Sequence, residues 1–569
     1  MARHSTAALL ALALISGAAC NRAPAPPSTA SAGPVRGGSL TASVRSEPLT
    51  FNRLAPNGNQ AAVDALTKLT HASLVRINRV TGEPEPSLAE SWTTSPDGRT
   101  ITLTLREGVT FSDGTPFTSD DVLFTFKALY DPKVASVLAS AVAVQHKPLG
   151  VAAPDRRTVV ITLPAPFAPG VALLDTVPIY PKHRLQPELD AGTFGKAWGT
   201  TAALDTIAGL GPFVISEYVT GQRMTFARNP HYWRKDASGA PLPYLDRIVM
   251  QFVAAQDAEM LRVQAGEVDL MTIGAVRPDD IASLRRLRDQ GSIQLIDVGV
   301  SVDPDVLWFN LTPGNAAVKA KPYLGRAEFR QAISYAVDRE AIAKTVFLGA
   351  ATPVYGPITS GNRTWHSPSA PSYPHDTGKA RTLLASIGLT DRNRDGMLED
   401  AKGKPVRFSI VTQASHIRER TATMVQEQLR QVGIGVDIVS LDPPSIFGRF
   451  GAGDYESIYY GFQASAMDPA MNLDLWMTGG SAHVWNLGAP EPWEKALEAV
   501  MLRQVAAASL AERQQLLLEA EKIFSDHLPQ IYFVAPNVTV ALSRRVGGAV
   551  PVLLDPKVLW NAETLFVKP

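Results

Sequence analysis

A single cysteine, Cys20, in a chain of 569 residues sets the terms on which this protein can fold. Without a second thiol there is no intrachain disulfide, so each domain must be held by burial of apolar surface alone. A chain of this length can build such cores. Its makeup, 45% apolar and 19% charged, is that of a globular protein, and the length predicts more than one domain. Lys plus Arg and Asp plus Glu both number 54, so the net charge is zero. A nucleic-acid binder shows a basic excess or stripe, and neither is present.

The position of Cys20 is informative as well. Arg3 and His4 give a positive start, residues 7–15 are an apolar run, and small residues lead to the cysteine. That layout predicts a signal peptide over 1–19, too short to be a stable spanning helix. "GAAC" resembles a bacterial lipobox, in which the cysteine is acylated and becomes the first mature residue, although Gly17 stands where that motif usually has Leu. Residues 20–38, nearly all Pro, Ala, Ser, Thr and Gly, then form a lipid-anchored flexible linker. At roughly 3 Å per residue it reaches up to about 50 Å from a membrane. The expected address is outside the cytoplasmic membrane, as a periplasmic or cell-surface lipoprotein.

The body begins near Ser39, where "LTASV" alternates as a strand. Residues 86–124 are dense in turn signals and acids. Within them Pro96-Asp97-Gly98 is a turn, and Ile101, Leu103 and Leu105 share one face of a hairpin arm. Thr118 or Ser119 caps a helix whose first turn carries Asp120 and Asp121, so these acids serve a helix dipole and not catalysis. Downstream, "FRQAISYAVDREAIAKTVF" places Phe329, Ile333, Ala336 and Val337 at helical spacing. "ATMVQEQLRQVGIGVDIVSL" is a helix, a stop at Gly433, then a strand. Recurring helix–strand units imply α/β lobes with partly parallel sheets.

The 86–124 stretch resembles solute-binding protein family 5, the peptide/nickel-type receptors of bacterial ABC importers that include oligopeptide- and dipeptide-binding lipoproteins. The matching positions include Pro86, Leu88, Ala89, Trp92, Asp97-Gly98, Leu105-Arg106, Gly108-Val109, Phe111, Asp113-Gly114, Pro116, Thr118 and Asp121-Val122, with Ser119 for the usual Ala. "GLGPFVISEYVTGQRMTFARNPHYW" resembles a second family motif, with Leu210 for Thr and Phe213 for Tyr. The resemblance implies an α/β, type II periplasmic-binding-protein-like two-lobed clamp with an additional domain. Lobe I would comprise 39–79, 205–300 and 526–569, the extra domain 80–204, and lobe II 301–525. It also implies capture of a peptide or peptide-like solute and delivery to the transmembrane subunits of an ABC permease, by a monomer doing no chemistry. Receptors for nickel chelates, haem, oligosaccharides or opine-like compounds, a sensory binding module and an extracytoplasmic peptidase are the alternatives.

Ile458, Tyr460 and Phe462 alternate against Tyr459 and Gly461, a strand leading into a loop, where Gly461 permits close backbone approach. Peptide receptors of the family have a corresponding strand on which the peptide adds as a further strand. The resemblance therefore implies solute contacts at Tyr459, Tyr460, Gly461, Phe462 and Gln463. Ser465 stands where those receptors have an Asp that accepts the α-ammonium, and a hydroxyl cannot replace a carboxylate as counter-ion. Asp468 is either a solute contact or a turn former before Pro469. Trp485 and Asn486 suit a ligand wall, and Asn57 and Gly58 are further candidates.

Asp391, Asn393 and Asp395 at alternate positions, followed by Gly396, read as the start of a calcium loop. Position twelve is Lys402, so a full EF-hand fails, and a shortened structural Ca2+ site using Glu399 or Asp400 stands beside a plain turn. No cofactor is otherwise expected. H-E-x-x-H, G-x-S-x-G, P-loop and G-x-G-x-x-G motifs are absent from the sequence.

Overall fold

The computed structural model describes residues 33–272, 276–462 and 466–569. It is mixed α/β, built on three principal sheets. In the first, Ser39–Val44 runs parallel to Arg247–Phe252 and beside Leu270–Met271, and the order continues outward through Arg223–Arg228 to Phe213–Val219. On its other side lie Val534–Ser543 and Ile293–Val300, antiparallel from Ile293↔Ser543 to Val300↔Asn537. The second sheet has the order Gly435–Leu441, Arg407–Gln413, Ser457–Gly461, Asp305–Phe309, Gln530–Tyr532. The third, antiparallel, contains Ala89–Thr94, Thr100–Leu105, Thr158–Thr162 and Gly150–Ala152.

Period-two alternation makes the second sheet a partition between two cores. From Asp305–Phe309, Leu307 and Phe309 enter one core while Val306 and Trp308 enter the other. Ser457–Gly461 does the same, with Tyr459 on one side and Ile458 and Tyr460 on the other. A strand so buried on both faces cannot shift register by one residue without exchanging the two cores. The third sheet and the first share a single continuous core, to which Leu40, Ala42, Ile101, Leu103, Leu105 and Phe213 all contribute.

The 86–124 stretch is scaffold. Gly98, Gly108 and Gly114 sit at positive φ (67°, 73° and 83°), a conformation that favours glycine. Thr118 caps the helix Ser119–Tyr130 in a reciprocal box with Asp121, whose carboxylate accepts the Thr118 N–H at 3.0 Å. Asp113 accepts from Arg184 Nε at 2.9 Å and meets His183 at 2.8 Å. Burial raises its pKa, but the hydrogen bonds from His183, Thr115 and Arg184 outweigh that and hold the carboxyl well below its usual range.

Two of the backbone passages between the first sheet and the second lie side by side. One runs from Ile293–Val300 through 301–304 into Asp305–Phe309, and the other returns from Gln530–Tyr532 through Phe533 into Val534–Ser543. They are neighbours, because Val300 pairs with Asn537 and Val306 with Tyr532. The change between sheets thus falls at Phe533 and not at 525/526, because Gln530–Tyr532 hydrogen-bonds to Asp305–Phe309. Ala351–Pro353, inside the span expected for lobe II, pairs instead with the first-sheet strand Val534–Ser543. Among the described residues, no helix is long and apolar enough to cross a membrane.

Candidate functional site

A cleft of about 1260 Å³ opens between the sheets, above the roughly 300–1,000 Å³ of ordinary small-molecule sites. Both passages form part of its lining, through Val302, Asp303, Pro304 and Val306 on one strand run and Gln530 and Tyr532 on the other. One wall carries Arg53, Asn59, Gln60, Asp64 and Lys68 from the first-sheet body, with Arg79, His146 and Asp175 from the neighbouring segment. Much of the remaining lining comes from 466–482, including Asp468, Asp474, Trp476 and three methionines, Met467, Met471 and Met477.

Charge is unevenly spread in this cleft. Among the described residues, every Lys, Arg and His of the lining lies before residue 150. Beyond residue 300 the charged lining residues are Asp303, Asp468, Asp474 and Asp555. Asp468 is paired with Arg513, at 2.8 and 2.5 Å, and also accepts from the Ala470 N–H at 3.0 Å. A recess of about 80 Å³ adjoins the basic wall and shares Arg53, Asp64, Lys68, Arg79 and Asp175 with it. His71 lines this recess, is wholly buried, and is held neutral by burial, with its pKa lowered to about 4.

Of the residues expected from sequence, Phe462 and Asp468 line the cleft, and the Phe462 ring packs 5.4 Å from that of Trp308. Gln463, Ser465 and Cys20 lie outside the described residues. Tyr459 points the other way. It is 2% exposed, its ring lies 5.8 Å from Phe533 in the opposite core, and its side chain does not line the cleft. Tyr460 is half-buried outside the lining, with the Phe447 ring at 5.6 Å and the Arg418 guanidinium 4.2 Å over its face. The close approach at Gly461 is to protein and not to a ligand: a Cβ there would clash with the Asp305 carboxylate, which Arg418 holds at 2.7 Å.

Trp485 and Asn486 do not form a ligand wall. They are 0% and 2% exposed and converge on Glu494 inside the lobe. The indole N–H donates to Glu494 Oε1 at 2.7 Å, Asn486 Nδ2 donates to Oε2 at 2.6 Å, and His483 Nε2 lies 3.1 Å from Oε1. Burial raises the Glu494 pKa, but the hydrogen bonds from His483, the Glu491 N–H, Asn486 and Trp485 outweigh it and leave the carboxyl below its usual range. Asn57 is exposed and Gly58 is buried against the Arg53 carbonyl, so neither lines the cleft, whereas the next residues, Asn59 and Gln60, do. Local spacing gives no sign of the basic wall, because Arg79 meets its partner Asp175 from 96 positions away.

In the 391–400 loop, one carboxylate oxygen from each of Asp391, Asp395 and Glu399 lies within 4.8 Å of the others. Asn393 Nδ2 donates to Asp395 Oδ2 at 3.0 Å, and the Arg394 and Gly396 N–H groups donate to Asp391. Asp400 is occupied in its own turn, accepting from the Lys402 and Lys404 N–H groups. Hard oxygen donors in this arrangement suit calcium. None of these residues lines the cleft.

Residues 83–483 match the family model described as bacterial extracellular solute-binding proteins, family 5 Middle. A probable ABC transporter-binding protein of Deinococcus radiodurans is 26% identical over 544 residues, covering 91% of this chain and 90% of its own. The oligopeptide-binding protein AppA of Bacillus subtilis is 25% identical over 542 residues, covering 90% and 89%. The crystal structure of the ABC transporter substrate-binding protein CtaP of Listeria monocytogenes superposes with a TM-score of 0.76, at 23% identity and 94% and 100% coverage.

Proposed function

The chain belongs to the bacterial extracellular solute-binding proteins, family 5, and from that premise we propose that it captures a peptide or peptide-like solute and hands it to an ABC permease. It is a solute receptor of an ABC transporter, as its relatives are. The observation that carries the reading is the position of the cleft directly over the two neighbouring strand passages, at 301–304 and Phe533. Adjacent strand passages of this kind serve as a hinge about which one body can rock on the other, and a solute touching both favours the closed form by its differential affinity for it.

The peptide assignment is supported by three features. The cleft is larger than a single small metabolite needs. Met467, Met471 and Met477 offer flexible, polarizable side chains, which suit solutes of varied shape. The lining holds its cations before residue 150 and several acids beyond residue 300, charges of both signs that complement a solute with separated charges. Ser465 stands where the ammonium partner is expected in the chain, and Asp474, from the 466–482 stretch of the lining, is the acid that would take that part.

In this reading the receptor performs no chemistry, and ATP hydrolysis on the importer does the work. Export with acylation at Cys20, a monomeric state and a calcium-braced 391–400 loop complete the proposal. Native mass spectrometry of the purified protein tests it. A heterogeneous envelope of co-purified peptide masses is the expected result, whereas one discrete non-peptide mass would replace peptide by that compound.

A further inference from the structure

We propose that the end of the first sheet at which the linker enters is a docking surface for anionic phospholipid, on the membrane that holds the anchor. This rests on acylation at Cys20 for the tether and on the fold alone for the charge. The strand Ser39–Val44 follows the linker directly. One rung crosses the sheet as Ala42↔Leu270, Leu270↔Leu542 and Leu542↔Gln294. Three residues from that rung, in opposite chain directions, Ser39 and Arg545 meet, and Arg545 Nη2 donates to the Ser39 carbonyl at 3.3 Å. Arg247 is the strand partner of Ser39. The Arg544 N–H donates to the Ser292 carbonyl at 3.2 Å, just past the helix Pro278–Asp289 with Arg286 in its last turn. The Lys568 N–H donates to the Arg545 carbonyl at 2.7 Å, and Arg36 binds the Pro241 carbonyl.

Most acids at this end are already engaged. Asp246 pairs with Arg228 at 2.9 Å and Asp289 with Arg288 at 2.8 Å. Asp269, 3% exposed, accepts the Thr41 N–H at 2.9 Å and lies 3.5 Å from Arg545. Asp236 is held by Ser238 and Tyr244, and Glu217 by Arg223 and Thr225. Arg36, Arg247, Arg286, Arg544 and Lys568 are all exposed and in no ion pair among the described residues, against the exposed Glu267. The chain as a whole has no net charge, so this excess is local. Its cations are spread over strand starts, a helix end and the entering segment, which suits an extended anionic surface better than a small anion converging on one point. Such a surface attracts basic groups within about a Debye length, roughly 10 Å at 0.1 M salt. A basic patch of this kind is the second signal that adds to a lipid anchor. The passages at 301–304 and Phe533 leave from the other end of the same strands, beyond Val300↔Asn537. Docking by the linker end therefore turns the cleft away from the bilayer and open to solute, and a salt-sensitive contact lets the body leave for the permease.

The test reconstitutes the acylated protein into vesicles of phosphatidylcholine, with and without about 30% phosphatidylglycerol. Phenylglyoxal labelling of arginines is read by mass spectrometry, with Arg430, 65% exposed on the second-sheet body, as the control. Arg247 and Arg544 should be labelled at least about three-fold more slowly on the anionic vesicles, with full rates restored by high salt and Arg430 unchanged. Equal rates on both vesicles overturn the surface, as does equal slowing of Arg430, which would mean that the whole body is shielded. If the mass of the exported chain shows no acyl group, the anchor reading falls, and co-sedimentation of that chain with the same vesicles decides the surface. Retention at least about ten-fold higher with phosphatidylglycerol, lost in the triple variant Arg247→Gln, Arg544→Gln, Lys568→Gln, supports it. Equal retention on both vesicles overturns it.

Discussion

Arg513 holds Asp468 through both terminal guanidinium nitrogens, at 2.8 and 2.5 Å, with its carbon centre 4.7 Å from the middle of the Trp365 ring. This pair clamps the acidic wall of the cleft to the helix Leu510–His527. Asp468→Asn would leave a guanidinium that is 8% exposed without its carboxylate. Because Asp468 is itself 22% exposed, the cost should sit near the lower end, about 3 kcal/mol, of that for breaking a buried pair. Urea unfolding reads this directly, and an unchanged midpoint would show that the wall is held by other contacts.

Trp485 and Phe462 separate stability from binding. Trp485→Phe removes the indole donor to buried Glu494 and should cost about 1–3 kcal/mol, with solute affinity kept within two-fold. Phe462→Ala, in the cleft lining, should weaken solute binding about ten-fold or more. Parallel melting curves and solute titrations of the two variants check the division, and loss of affinity in the Trp485 variant would return that residue to the site.

Glu521 makes stability depend on pH. The side chain is 5% exposed, and burial raises its pKa to about 8. Between an unfolded value near 4.3 and that folded value, the native state keeps a proton that the unfolded state has released. The contribution of this group therefore falls as pH rises through the window, by about 1.4 kcal/mol per pH unit at most. Glu521→Gln should raise the melting temperature at pH 8 and change it little at pH 4.5. Equal shifts at both values would show that Glu521 is not the titrating group.

Calcium should brace the loop that carries Asp391, Asp395 and Glu399. At a free concentration about a hundred times the dissociation constant, binding to the folded state alone stabilises by about 2.7 kcal/mol. The melting temperature should rise with calcium and not with magnesium, which demands a stricter octahedral shell. Glu399→Gln, which removes the buried carboxylate of the trio, should abolish the rise. A melting temperature that ignores calcium would leave the loop as an Asp/Asn turn.

What could be read in the amino-acid order was local or recurrent. Thr118 and Asp121 are three residues apart, so their capping box could be seen without the fold. Ile101, Leu103 and Leu105 announce a half-buried strand by spacing alone, and all three are at most 1% exposed. The alternation of Ile458 and Tyr460 against Tyr459 was equally legible, but not which face would meet the cleft, and Tyr459 proved to face a core. Trp485 had the composition of a ligand wall and became the lid of a buried carboxylate, because Glu494 on the next helix captured its N–H.

The sequence by itself determined the elements, their caps and turns, and the family to which the chain belongs, since these depend on residues within a few positions of one another and on motifs with fixed spacing. Only the tertiary structure decided where the charged walls stand. Arg79 and Asp175 are 96 positions apart and meet only because two segments fold against one another. Coulomb forces act through space and are indifferent to chain order, so an excess charge on one wall of a cleft is a property of the folded surface.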